Sequence, residues 1–190
     1  MKKIDARGKA CPQPVILIKK AMESEEKASI LVDNAIARDN IGRFAESAGY
    51  RVNSILENQD GIELFLEKGE VLSREDGSAE VVVLIKGSHF GEGDPRLGLL
   101  LMKSFLVSLL ENRKKTKALI FMNRGVELTT INTEIIEILK EFEGKGTQIL
   151  SCGTCLDFYN LKDKLKIGQI TNMYTSVDLL VEGNVKVITL

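Results

Sequence analysis

The amino-acid sequence predicts an α/β protein of two units, a two-layer βαβαββ sandwich followed by a parallel, helix-flanked α/β sheet. Three observations carry this expectation. First, residues 69–79 hold two glycines, two serines and four charges, and they separate two stretches that each have a full set of apolar-periodic segments. Second, the first stretch closes on two strand-like runs joined by Asn58-Gln59-Asp60-Gly61, a hairpin turn whose glycine supplies a positive φ. Third, the second stretch opens on Val81-Val82-Val83-Leu84-Ile85, a continuous apolar run of the kind shown by strands buried on both faces, and strand-like and helix-like segments alternate after it. The expected division is 1–68, a connector at 69–79, and 80–190.

Taken in order, Lys3–Ala6 reads as a short strand and Pro12 to about Met22 as a helix, with Val15, Ile18 and Met22 at i, i+3 and i+7. A strand follows at Ala28–Val32. Ala35–Ala48 is the second helix: Ile41, Phe44, Ala45 and Ala48 share a face, Asn34 is its N-cap, and Gly49 lies just past its end. Tyr50–Leu56 and Ile62–Glu67 form the hairpin. In the second unit the spacing predicts strands at Glu80–Lys86, Ala118–Met122, Thr147–Ser151 and Val185–Thr189, with a short segment at Gln169–Asn172. Helices are expected at about Arg96–Glu111, Asn132–Glu143, Leu156–Leu165 and Ser176–Glu182, with loops after the first and second strands. Right-handed crossovers then place ligands beyond the carboxyl ends of the strands. Leu97–Leu110 is apolar nearly all round, so it is expected to be buried on more than one side, by its own chain or by another subunit.

Composition narrows the function classes. The chain has 190 residues, 44% apolar and 28% charged, with a formal charge of −1. Lys and Arg balance Asp and Glu at 11 to 11 over residues 1–68 and 14 to 13 over 80–190, so neither half offers the basic stripe that nucleic acid requires. The longest apolar stretches fall well short of the roughly 18 residues a membrane span needs. Met1-Lys2-Lys3 leads directly into Ile4-Asp5 without the apolar core of a signal peptide, and a cytoplasmic protein is expected. Three cysteines in a chain of this size do not form a disulfide scaffold; each is a candidate for thiol chemistry or for core packing.

Cys11 immediately precedes Pro12, and Pro is tolerated in the first helical turn because its missing N–H would be unpaired there. Cys11 is therefore expected in the N-cap region, where the positive end of the helix dipole favours a thiolate. Pro14 stiffens the same turn. The alternative, a small cysteine packed beneath the sheet, leaves the two prolines unexplained. Arg7, Lys9 and Arg38 either bias the local field toward the thiolate or form a solvated face. The single histidine, His89, lies in the other unit, so no local Cys-His pair for acyl chemistry is available. The segment Asp5-Ala6-Arg7-Gly8-Lys9-Ala10-Cys11-Pro12-Gln13-Pro14 resembles the Asp, Gly and Cys-Pro-x-Pro signature of TusA-like sulfur carriers, and the resemblance continues through Asp33, Asp39-Asn40-Ile41 and the hairpin. It implies that Cys11 accepts sulfane sulfur as a persulfide, supported by Pro12, Pro14 and Asp5.

Cys152-Gly153-Thr154-Cys155 lies between a strand and a helix, at the ligand-binding edge of the second sheet. Dithiol chemistry, a zinc site lacking its remaining ligands, and burial of Cys155 as a first-turn core residue are the readings the residues allow. Loops carrying His89 and Arg124 are expected to meet Cys152, where an imidazole could stabilise a thiolate and a guanidinium a persulfide anion, although His89 also reads as a solvated loop residue. Gly87–Asp94 lacks the spacing of a phosphate-binding glycine loop. Residues 146–154 and 168–174 resemble segments of DsrE-like proteins, a flavodoxin-like family of sulfur-relay proteins. The resemblance implies a reactive Cys152, with Cys155 left open, and homo-oligomerisation through this half.

Together the two halves resemble YedF-like proteins of selenium metabolism. The implied function is relay of sulfur or selenium by a sulfurtransferase-like persulfide carrier, from a donor such as a cysteine desulfurase to an acceptor protein, with neither cofactor nor metal. The alternative is a non-catalytic binding or oligomerisation scaffold whose DsrE-like half has no thiol chemistry.

Overall fold

A computed structural model describes residues 1–69, 79–112 and 114–190, and divides the chain into two compact units, Met1–Glu75 and Asp76–Leu190. The expected connector, apart from Gly69 and Ala79, lies outside the described residues.

The first unit runs β1 (Lys2–Asp5), α1 (Gln13–Ser24), β2 (Lys27–Val32), α2 (Ala35–Ala48), β3 (Tyr50–Asn58) and β4 (Gly61–Lys68). Its sheet has the order β1-β2-β4-β3, with β1 parallel to β2 and the other neighbours antiparallel. This is the βαβαββ sandwich the pattern predicts. Ile18 and Met22 of α1 and Ile41 and Ala45 of α2 pack with Ile30, Val32, Leu64 and Leu66 of the sheet, all essentially excluded from water. The Asn34 side chain accepts from the Ala37 N–H at 2.8 Å and starts α2. At the other end Gly49, at φ 75°, takes the left-handed conformation that lets the chain turn directly into β3.

The second unit holds β5 (Glu80–Ile85), α3 (Pro95–Leu110), β6 (Thr116–Phe121), α4 (Glu127–Thr130), α5 (Thr133–Gly144), β7 (Gln148–Cys152), α6 (Gly153–Phe158), β8 (Gln169–Thr171), α7 (Met173–Val181) and β9 (Val185–Thr189). Its five strands are all parallel, in the order β8-β7-β6-β5-β9. Both faces are covered. Val81, Val83 and Ile85 belong to a core with α3 and α5, while Val82, Ala118 and Ile120 pack on the side of Leu179 and Leu180 of α7.

Three expectations change. Residues 123–130, read as loop, form a 3-10 turn at Asn123–Val126 continuous with α4, stabilised by the Thr129 and Thr130 hydroxyls donating to the Val126 carbonyl at 3.0 and 2.8 Å. The helix after Cys152 begins at Gly153 and ends at Phe158, so it is both earlier and shorter than the apolar spacing indicates. Finally, α3 is covered on one side: Met102 and Leu106 are fully buried, whereas Leu97, Leu100 and Leu101 are 54%, 54% and 42% exposed. Among the described residues no helix is long and apolar enough to cross a membrane.

Candidate functional site

The loop from β1 to α1 is tied down at several points before it reaches Cys11. Asp5, at the end of β1, receives the Arg7 guanidinium at 2.7 Å and the Arg7 backbone N–H at 3.1 Å. These bonds hold the Asp5 carboxyl down at about 2, the guanidinium contributing most. Arg7 also donates to the Asp60 carbonyl at 3.3 Å, which joins this loop to the hairpin turn. Asp33, just past β2, accepts the Gly8 N–H at 2.6 Å and the Asn34 amide at 2.8 Å, and both bonds lower its carboxyl below the usual range. Asp5 is thus a support of the loop, at the carboxyl ends of the two parallel strands.

Cys11 is exposed, and it sits one residue farther out than expected. Pro12 is the N-cap, Gln13 the first helical residue and Pro14 the second, because the Pro12 carbonyl already accepts the Ile16 N–H at 3.2 Å and closes the first turn. The Cys11–Pro12 peptide bond is cis. Pro14, in the first turn of α1, is buried. Beside the sulfur lies a cavity of about 220 Å³, lined among others by Lys9, Pro12, Asn34, Ile36 and Asn40. The Asn40 amide, on α2, donates toward Cys11 Sγ at 3.9 Å. Arg7 and Arg38 do not serve as open positive charges here: Arg7 is engaged by Asp5, and Arg38 pairs with Asp39 at 2.9 Å and Glu57 at 3.1 Å. Lys9 is the cation that lines the cavity. Asn40 was visible in the sequence only as part of Asp39-Asn40-Ile41; its place one helical turn after Ala37, which also lines the cavity, is the signal that singles it out.

In the second unit the exposures of the two cysteines reverse the sequence expectation. Cys152, the last residue of β7 and N-cap of α6, is buried at 5% exposure, and Cys155 is the more accessible. Cys155 packs against the larger core of this unit as a partly buried residue. The loop after β6 does reach the pair. Gly125 passes so close to β5 that a Cβ there would meet the Ile85 carbonyl oxygen, and Asn123, two residues earlier, lies in the left-handed region at φ 49°. The Asn123 N–H then donates to Cys155 Sγ at 3.1 Å, and the Tyr159 hydroxyl donates to the Asn123 side-chain oxygen. Arg124 lies over the Tyr159 ring, 5.8 Å from its centre, and pairs with Glu127 at 3.3 Å. His89 rests on Ser88, whose hydroxyl is 3.2 Å from Nδ1, and against Gly98 of α3. Burial raises the Cys155 thiol above its ordinary value, the adjacent Cys152 sulfur raises it further, and the Asn123 N–H opposes both. Asn123 belongs to the loop expected to meet Cys152, though without a role assigned to it, and Tyr159 is the member of this site that sequence reasoning did not name.

Comparison with known proteins bears on the first unit. The family of sulfurtransferase TusA matches residues 2–68. A putative sulfur carrier protein of Methanocaldococcus jannaschii is 38% identical over 71 residues, covering 36% of this chain and 95% of the relative. Another, from Bacillus subtilis, is 31% identical over 71 residues, again covering 36% of this chain and 95% of the relative. A SirA-like protein of Desulfitobacterium hafniense with a solved structure is 43% identical, covers 37% of this chain and all of its own, and superposes with a TM-score of 0.34. With Cys11-Pro12-Gln13-Pro14 inside the matched segment, the chain belongs through residues 2–68 to the TusA sulfurtransferase family.

Proposed function

We propose that this protein relays sulfane sulfur or selenium, with Cys11 as the carrier. The observation that supports this most is an exposed thiol on a loop clamped by Asp5 and Asp33, opening onto its own cavity within the segment shared with sulfur carriers. In loading, the Cys11 thiolate attacks the terminal sulfur of a donor persulfide; the donor's S–S bond breaks and its cysteine leaves as a thiolate. In delivery an acceptor thiolate attacks the same terminal atom, and Cys11 leaves as a thiolate. Neither step is a net oxidation. The donor is of the cysteine desulfurase class and the acceptor is a protein thiol. Pro12 and Pro14 fix the start of α1 behind the sulfur, and Asn40 donates to it. The likeness of the fused chain to YedF-like proteins favours selenium as the physiological cargo and the cytoplasm as its location.

The test is to incubate the full chain with a cysteine desulfurase and radiolabelled cysteine, then map the label by peptide. Label is expected on Cys11 and absent from Cys11→Ser; label spread equally over the three cysteines, or none, overturns the reading. Repeating the experiment with selenocysteine and a selenocysteine lyase separates the cargoes. The second unit is proposed to self-assemble through α3, since Leu97, Leu100 and Leu101 project from it. Sedimentation velocity should show an oligomer that Leu100→Glu dissociates, and a monomeric parent chain would rule the assembly out.

A further inference from the structure

The second unit presents two thiols on one helical turn, of unequal accessibility, with a backbone donor fixed on the outer one. Cys152 is the N-cap of α6 and Cys155 is three residues on, so their side chains stand over the same turn. Residues at this spacing have Cβ atoms about 5–6 Å apart, and a disulfide needs roughly 3.5–4.5 Å, a closure of one or two ångströms. Cys155 is the half-open member and holds the Asn123 N–H at 3.1 Å, whereas Cys152 is 95% covered by its surroundings, being 5% exposed. An accessible thiol backed by a buried one is the arrangement for attack followed by internal resolution.

We propose that the Cys152–Cys155 pair is a reductive release site, which converts persulfide sulfur, or its selenium counterpart, into free sulfide or selenide. In the first step the Cys155 thiolate attacks the terminal sulfur of a persulfide R–S–SH. The S–S bond to that sulfur breaks, RS⁻ leaves as the thiolate, and Cys155 becomes the persulfide. The Asn123 N–H points at Cys155 Sγ and stabilises the charge it carries before this step and the partial charge it holds afterwards. In the second step the Cys152 thiol gives its proton to solvent and attacks Cys155 Sγ. The bond from Cys155 Sγ to the sulfane sulfur breaks, and that sulfur departs as HS⁻. The sulfane sulfur gains two electrons, the two thiols lose one each, and a Cys152–Cys155 disulfide remains. An external dithiol reduces the disulfide and resets the site. Where the carrier reading leaves the chalcogen at the zero-valent level, this activity delivers it as sulfide or selenide. The inference does not rest on Cys11.

The decisive experiment uses the full chain as Cys11→Ser, fully reduced, mixed with glutathione persulfide under anaerobic conditions. Sulfide release is expected at one equivalent per chain, with peptide mapping showing Cys152 joined to Cys155 and the protein two hydrogens lighter. Cys152→Ser should keep one added sulfur on Cys155 and lose the release; Cys155→Ser should lose both. Because Cys152 is buried, Cys152→Ala serves as a second variant, and a thermal melt establishes that each is folded. Sulfide release no greater than from a Cys152→Ala/Cys155→Ala chain, or release without the disulfide, overturns the proposal. A chain that labels at Cys11 yet fails this test keeps the carrier reading and loses this one, and the reverse result does the opposite.

Discussion

The amide nitrogen of Asn40, 3.9 Å from the Cys11 sulfur, forms a contact that strengthens as negative charge gathers on that sulfur. In the proposed relay, delivery returns Cys11 to the thiolate, so loss of this donor raises the barrier to delivery. With a net hydrogen bond worth about 0.5–1.5 kcal/mol, Asn40→Ala should slow single-turnover transfer from loaded Cys11 by roughly 2- to 12-fold. Thermal stability should change little, and an unchanged transfer rate would remove Asn40 from the site. Cys155 makes a prediction of the opposite kind. Burial and the Cys152 sulfur favour its neutral form in the fold, so its folded pKa lies above the unfolded one. The stability this confers is complete below the unfolded value of about 8.5 and is lost as pH rises toward and through the folded value. Between about pH 7 and pH 10, the melting temperature of the parent chain should therefore fall more steeply than that of Cys155→Ala. Parallel curves would mean that the fold does not hold this thiol neutral.

Pro14 belongs to α1 as its second residue and is packed into the first unit, not displayed on it. Pro14→Ala removes about two buried methylene groups, worth ~0.8 kcal/mol each, and returns roughly 0.4–1 kcal/mol of freedom to the unfolded chain. Urea denaturation should register a loss of about 2 kcal/mol, and a loss below ~0.5 kcal/mol would show that the ring packs against nothing important. The sequence displayed the long elements well, because α2 and α5 repeat their apolar residues over three turns and more, and β5 is a run no amphipathic helix would show. It was silent on α4, whose four residues are too few to express a period, and on the start of α6, whose N-cap Cys152 makes no side-chain capping bond. The exposures at Cys152 and Cys155 were illegible for a related reason. A strand covered on both faces has no polar alternation to say which way its last residue turns.

At the scale of the whole molecule, the two sheets impose different conditions on the chemistry they carry. The mixed sheet of the first unit sets Cys11 on a loop held by carboxylates at the ends of a parallel strand pair, and the wholly parallel second sheet sinks Cys152 at a strand end. The βαβαββ and parallel architectures, and the place of Cys11 just ahead of α1, were readable from spacing and turn chemistry; the partners Asn40 and Asn123 were not, since each reaches its sulfur from an element remote in the chain. The gradient of exposure from Cys11 through Cys155 to Cys152 has a bearing on how the protein ages. Cys11 is the exposed thiol and has no second cysteine in its own unit to trap a sulfenic acid, so peroxide is expected to carry it on to the sulfinic state, from which a dithiol does not recover it. Cys155, oxidised in the same way, condenses with Cys152 and is recovered by reduction. Protein stored in air and then reduced should show by peptide mass an intact thiol pair and a dead carrier; equal recovery at all three positions would mean that Cys11 is shielded in solution.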